Sequence, residues 1–292
     1  MAIYAQDQWA LRRLTLNLGV RWDNYNGQID AQDAAAGTYV PARHFDKIQG
    51  PNWKDLSPRL GMAWDLFGNG KTAAKTSFSR YVTVETWNFM RSMNPMIAGP
   101  GQSDVRTWAD RNNDRIPQFD ELGPSTNLNF GRPVFTVRPD PALLEGWGVR
   151  NHNWEYSASL QHQVLPGLSA SVAYYRRWFG NLTWTNNRAV QQSDYTPFTI
   201  VRPLDDARIT LFNLAPAKRG VIDNVVELAP DDTQVFDGVD VVMTGRFGEG
   251  GFVSGSASMG RTATKRCTAF DPNTQIFCDA RPPFMGQNVY KV

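Results

Sequence analysis

The chain of 292 residues carries 30 Lys and Arg against 28 Asp and Glu, so its charge is nearly balanced and no basic run invites nucleic acid. No apolar run reaches the roughly 18 residues of a transmembrane helix, which excludes helical spans but not a membrane, because barrels hide their hydrophobicity by alternating it. Aromatics make up 12% with 10 Trp, an abundance that suits an interfacial girdle or a carbohydrate-binding surface.

The opening MAIYAQDQW has neither a basic n-region nor an apolar core, so it does not read as a signal peptide. Ile3 to Trp9 reads as a strand, joined through a short connection near Leu11-Arg12 to Arg13–Asp23 (RLTLNLGVRWD). There Leu14, Leu16, Leu18, Val20 and Trp22 alternate without a break with Thr15, Asn17, Gly19, Arg21 and Asp23. Period two gives a strand one apolar and one polar face, and a helix would scatter the three leucines. The run matches the ~9–11 residues that a tilted strand needs to cross a bilayer, and Trp22 and Tyr25 stand where an interfacial aromatic belongs. Taken alone, it fits a soluble sandwich strand equally well.

Asn24 to Leu56 lacks useful periodicity and reads as a long loop. Ser57–Phe67 alternates again, with Leu60, Met62, Trp64 and Leu66 on one side. Gly68-Asn69-Gly70 forms a tight turn, and Thr72–Tyr81 returns. Val82 to Asn153 is a second long connection. Trp154–Val164, the turn Leu165-Pro166-Gly167 and Leu168–Phe179 make a third hairpin, with Tyr175, Trp178 and Phe179 at its far end. A third connection, Gly180 to about Gln234, holds short β-like runs (TLFNL, VIDNVVEL) expected to rise out of the membrane layer. Phe236–Phe247 pairs through Gly248–Gly251 with Phe252–Thr262, and Gly286–Val292 reads as the start of one more strand.

Between these, Cys267 and Cys278 bracket a polar segment with a turn at Pro272-Asn273. A disulfide there would close a short loop, contribute roughly 3 kcal/mol and imply an oxidising compartment. The alternative is two unrelated thiols. Neither His44, His152 nor His162 is near enough in sequence to complete a zinc site with them.

Short turns therefore alternate strictly with long connections. An up-and-down outer-membrane barrel has this order, with short periplasmic turns and long extracellular loops. The polar faces carry Arg21, Asp23, Arg59, Asp65, Lys75 and Glu155, which a small solid core could not bury unpaired but a watery lumen could hold. The expected fold is all-β: an antiparallel up-and-down transmembrane β-barrel segment of about eight strands, covering residues 1–292 as one partial domain in the bacterial outer membrane.

Three segments also match a known family. YAQDQWALRRLTLNLGVRWD, then SPRLGMAWDLFGNGKTAAKTSFSRY, then HQVLPGLSASVAYYRR together resemble TonB-dependent outer-membrane transporters, and more narrowly the Oar-like branch that carries a carboxypeptidase regulatory-like domain. The resemblance covers essentially the whole chain. It implies a barrel of about 22 strands plugged by an N-terminal domain. It also implies energy-coupled uptake of a large scarce solute of the siderophore, glycan or peptide class, driven by the TonB complex through an N-terminal region. This sequence departs from that pattern: it shows no plug, TonB box or terminal aromatic, and it reads as an internal piece of a longer product. The expected partners are outer-membrane lipid and lipopolysaccharide, the TonB complex and an extracellular solute.

One loop has the spacing of a metal site. In DRNNDRIPQFDE, Asp110, Asn112 and Asp114 fall at positions 1, 3 and 5 of an EF-hand-like calcium loop, Ile116 would offer a backbone carbonyl, and Gln118 and Glu121 complete the set. Arg115 stands where such loops need Gly, and Pro117 is a second departure, so a plain acidic surface loop stays open beside calcium. Cofactors are otherwise not required. No nucleophile elbow or Gly-rich phosphate loop is present, and no enzyme activity is expected. Asp205-Asp206 and Asp231-Asp232 read as solvated surface, and His152 and His162 as structural. The aromatic segments Trp87–Phe89, Trp147–Trp154 and Trp178–Trp184 read as belt and loop packing, with solute grip as the alternative. Two rival readings are a non-transporting adhesion barrel and a soluble β-rich carbohydrate-binding or hydrolase domain.

Overall fold

The structure is a computed structural model. It describes residues 1–85, 87–97, 103–132, 135, 137–268 and 271–284. The strand expected over Gly286–Val292 lies outside the described residues.

In chain order the strands are β1 (Ala2–Leu11), β2 (Leu14–Ile29), β3 (Gln32–Ala34), β4 (Arg43–Phe45), β5 (Ile48–Asp65) and β6 (Thr72–Val82). After the short helix α1 (Trp87–Met93) come β7 (Val137–Pro139), β8 (Glu145–Trp147), β9 (His152–Leu165), β10 (Leu168–Gly180) and β11 (Thr183–Asn187). Next are β12 (Tyr195–Val201), β13 (Arg208–Leu214), β14 (Asn224–Leu228), β15 (Thr233–Phe247) and β16 (Gly251–Lys265). The one-turn helix α2 (Pro272–Gln275) and β17 (Asp279–Ala280) follow.

One sheet runs in the order β1-β2-β5-β6-β9-β10-β15-β16-β17. Every neighbouring pair along it is antiparallel. It is open, since β1 and β17 lie at its two ends. Four tight turns join β1 to β2, β5 to β6, β9 to β10 and β15 to β16, as the alternation requires. Gly68, Gly70, Gly167, Gly248 and Gly250 take positive φ in three of these turns, a conformation that costs glycine nothing.

Register keeps the two faces separate. Leu16 lies opposite Trp9 and Met62, and Leu18 opposite Leu60. Val172 lies opposite Leu160 and Val241. These apolar side chains stay in the open: Trp9, Leu60, Trp64, Leu160, Val172 and Met243 are all exposed. Among the described residues no second sheet or helix covers that face. The buried apolar residues lie elsewhere. Ile29, Phe45, Trp53, Leu143, Leu182, Val190, Val225 and Ala229 belong to the loop end of the molecule. Among the described residues the long strands therefore have no core of their own, whereas a soluble sandwich buries this face against a second sheet.

Asn24–Leu56 corrects the sequence reading. It is not simply a loop: β2 runs on to Ile29 and β5 begins at Ile48, and they pair as far as Ile29–Ile48. Beyond the apolar band both faces of this ribbon meet polar or loop surroundings, so alternation ceases while hydrogen bonding continues. The β-like runs TLFNL and VIDNVVEL are strands too, but neither extends a spanning strand. β13 pairs only with β12, and β14 sits between β11 and β7 in a small separate sheet.

Candidate functional site

The loop end is where chemistry gathers, and a fork in the sheet organises it. The β5–β6 ladder stops at Arg59–Ser79. Above that point β6 continues beside β9, while β5 continues beside β2. β2 already occupies one edge of β5. The parallel strand β8, which pairs with Asn52, Trp53 and Lys54, therefore takes the edge that β6 has left.

Asp55 fills the fork. It is fully buried, and its Oδ2 accepts from Arg150 Nε at 2.6 Å. Its Oδ1 accepts from both terminal nitrogens of Arg80 at 3.3 Å, and Arg80 Nη1 also donates to the Leu56 carbonyl at 2.9 Å. Trp53 closes the site: its indole donates to the Leu143 carbonyl at 2.6 Å, and its ring stacks on Tyr25 at 5.4 Å and meets Phe89 edge-on at 5.2 Å. Two cations around one carboxylate hold three connections together out of water. Sequence reasoning missed this cluster, because its members lie 25 and 95 residues from Asp55 and nothing local marks them.

The loop Asp110–Glu121 brings part of the expected set together. Carboxylate oxygens of Asp110, Asp114 and Glu121 lie within 4.8 Å of one another. Glu121 is buried, and it accepts from the Trp108 indole at 3.0 Å and from the Arg111 amide at 2.9 Å. The indole contact, aided by the amide, holds the Glu121 carboxyl below its ordinary value against the opposing effect of burial. The Ile116 amide does the same for Asp114, with help from Gln118 and Asn112. Asp110 Oδ1 is buried and has no hydrogen-bond partner. Asn112 and Gln118 turn their amide nitrogens toward Asp114 Oδ2, at 2.9 and 2.6 Å. Arg115 adopts φ +61°, the left-handed conformation that the usual Gly of such loops supplies.

Cys267 and Cys278 are bonded, with Cα atoms 5.0 Å apart. The turn between them is the helix α2, whose first amides are capped by Asp271 through Asn273 N. Asn273 in turn clasps β13, accepting from Phe212 N and donating to Phe212 O.

The aromatic segments divide. Trp154 and Trp178 join Phe78 on the apolar face, at 4.8 and 6.1 Å, as a belt would. Trp87 and Trp147 stand exposed among the loops. His162 bonds Thr72 and His152 bonds the Arg150 carbonyl, both structural contacts. Asp205 pairs with Arg202 at the surface, and Asp232 accepts from Thr268.

Comparison with known proteins agrees with this architecture. The family model described as an outer membrane beta barrel domain matches residues 1–260. No curated protein matches the chain. Among solved structures, the siderophore receptor PirA from Pseudomonas aeruginosa is similar at 11% identity and a TM-score of 0.35, over 90% of this chain and 36% of that one. The outer membrane transporter YddB from Escherichia coli is similar at 9% identity and a TM-score of 0.37, over 90% of this chain and 33% of that one. The chain thus spans about a third of each, and likeness at this level carries no functional argument. An antiparallel sheet with an uncovered apolar face and tight turns between neighbouring strands fits a domain of that description. The chain belongs to the outer membrane beta barrel domain family and sits in the bacterial outer membrane.

Proposed function

We propose that this chain is barrel wall and receptor surface of a TonB-dependent transporter, of the Oar-like branch, taking up a large scarce solute of the siderophore, glycan or peptide class. The observation that carries the reading is the loop layer. The long connections build a core of their own above eight uncovered strands, more than a passive pore wall needs. The segments YAQDQW, SPRLGMAWD and HQVLPGLSASVAYYRR support the narrower family. Energy would come from the TonB complex, reached through parts of the protein other than residues 1–292. The test is uptake by cells expressing the full-length gene, with and without a working TonB complex. Accumulation of a solute only when the complex works supports transport. Equal surface binding in both, without accumulation, favours the adhesion barrel instead.

Within that reading, Asp110–Glu121 holds a calcium ion that stiffens its loop, with Asn112, Asp114, Ile116 and Gln118 completing the ligand set. The converging carboxylates and the unpartnered Asp110 oxygen support this. Asp110 carries the unpartnered carboxylate oxygen, so Asp110→Asn should weaken calcium binding about tenfold or more in calorimetric titration. Proteolysis of Trp108–Glu121 that calcium leaves unchanged in the wild type would count against the ion.

A further inference from the structure

The apolar face carries a charged row that the barrel alone does not explain. Arg176 on β10 lies directly opposite Asp237 on β15, and Asp237 lies directly opposite Arg261 on β16. The same register places Val172, Val239, Val241 and Met259 on this face, so all three charges point to the lipid side. They stand eight to eleven residues from the tight turns. With ~3.3 Å rise and ~40° tilt, that is about 20–28 Å up, the far edge of an apolar band about 25 Å tall. This is the headgroup level of the outer leaflet.

The row is built rather than scattered. Arg176 Nη1 meets Asp237 Oδ1 at 2.9 Å, and the Tyr174 hydroxyl donates to the same oxygen at 2.6 Å. The Arg176 side chain remains 46% exposed, while Asp237 is 14% exposed. Arg261 Nε is buried without a hydrogen-bond partner, and its guanidinium lies 5.1 Å over the Phe284 ring. One carboxylate between two guanidinium groups leaves a surplus positive charge. Beside the row, Phe78, Trp154 and Trp178 form an aromatic cluster on the same face, with Phe78 stacked on Trp154 and tilted against Trp178. Guanidinium forks match phosphate oxygens bidentately, and aromatic faces pack well against acyl chains and sugar rings near an interface.

We propose that Arg176, Asp237 and Arg261 form a docking site for the phosphorylated headgroup of an outer-leaflet acyl glycolipid of the lipid A type, with Trp154 and Trp178, two register positions farther from the tight turns than Arg176, packing against its sugar rings. The proposal rests on the outer-membrane placement and not on transport. Arg176 and Arg261 each present donors to a phosphate, and Asp237 holds Arg176 in place.

The experiment uses the full-length protein purified from outer membranes in detergent, after fractionation shows that it resides there; absence from that fraction would sink the placement first. Lipid A is added back, and bound lipid is counted by native mass spectrometry. Arg176→Gln with Arg261→Gln should lower lipid A retention about tenfold. Arg177→Gln, whose side chain pairs with Glu155 on the opposite face, should leave it unchanged. Wild type should bind dephosphorylated lipid A and phosphatidylglycerol vesicles at least tenfold more weakly than lipid A. Retention unchanged in the double variant overturns the site. So does equal binding of phosphatidylglycerol or of dephosphorylated lipid A, or displacement by millimolar inorganic phosphate. If the glutamine variants do not fold, the lipid comparison on wild type and the Lys pair Arg176→Lys, Arg261→Lys decide: charge without the fork should give intermediate retention.

Discussion

Asp55 is a fully buried carboxylate that ties Arg80 to Arg150. A fully buried carboxylate between Arg80 and Arg150 is stable only while all three are present. Removing one member of a buried ionic cluster leaves uncompensated charge and typically costs 3–5 kcal/mol, far more than a surface pair. Asp55→Ala should therefore lower unfolding stability by about 3–5 kcal/mol, read as a urea midpoint in lipid vesicles. Asp205→Ala, which breaks an exposed pair with Arg202, should leave the midpoint nearly unchanged. Equal effects would mean that the fork is not held by charge. The acidic loop gives a pH expectation of opposite character. Asp114 and Glu121 titrate below their ordinary values when folded, so they contribute stability above the unfolded carboxylate range and lose it as pH falls through their folded values. Hydrogen exchange over 108–121 should stay flat from neutral pH to about 5, after correction for intrinsic rates, and rise below about 4. A rise beginning near neutrality would point to another group.

At the scale of elements, the tight turns are where small changes decide register. A Cβ on Gly167 would sit 2.5 Å from the Arg246 carbonyl oxygen, and the Arg246 amide already donates to the Gly167 carbonyl at 2.8 Å. Gly70 has a similar positive φ but nothing within 4 Å of its Cβ position. Both alanine variants carry the backbone penalty of about 1–2 kcal/mol, and only Gly167→Ala adds a clash with backbone. Gly167→Ala should therefore be the more destabilising of the two in the same urea assay, and equal losses would remove the clash from the account. Three of the four turns were readable in sequence, because Gly, Pro and Asn between alternating runs have few other uses; the β1–β2 turn, Arg12-Arg13, has none of them and was marked only by the runs on either side. The rising ribbon of β2 and β5 was not, because residues such as Asn24, Asn26 and Gln49 keep their ladder after the apolar face has ended. β7 and β8 were hidden for a different reason. Each has three residues and exists only because a distant strand offers an edge.

At the scale of the whole molecule, two layers divide the work. The strands expose Leu, Val and Trp to lipid and close every backbone bond sideways, as a membrane demands. The layer beyond them, built of loops and strand ends together, carries the buried apolar residues, the disulfide Cys267–Cys278, the Asp55 cluster and the acidic loop. The sequence told the first layer plainly, through the period-two runs. It told the second only at points, such as the spacing of Asp110 to Glu121, because loop packing depends on contacts that no local pattern records. The outward arginines show the limit well: Arg176 sits beside Arg177 in sequence, and only register separates a lipid-facing charge from a lumenal one.

The central claim is that the two faces of the spanning strands meet lipid and water. Nitroxide labels placed singly from position 14 to position 22 in the outer-membrane protein, with the native disulfide left oxidised, test it most directly. Positions 14, 16, 18, 20 and 22 should collide with dissolved oxygen and little with a water-soluble nickel complex. Positions 15, 17, 19 and 21 should show the reverse, giving a clean period of two. Uniform access to the nickel complex at all nine positions, or a period near 3.6, would contradict a membrane-spanning strand and the account built on it.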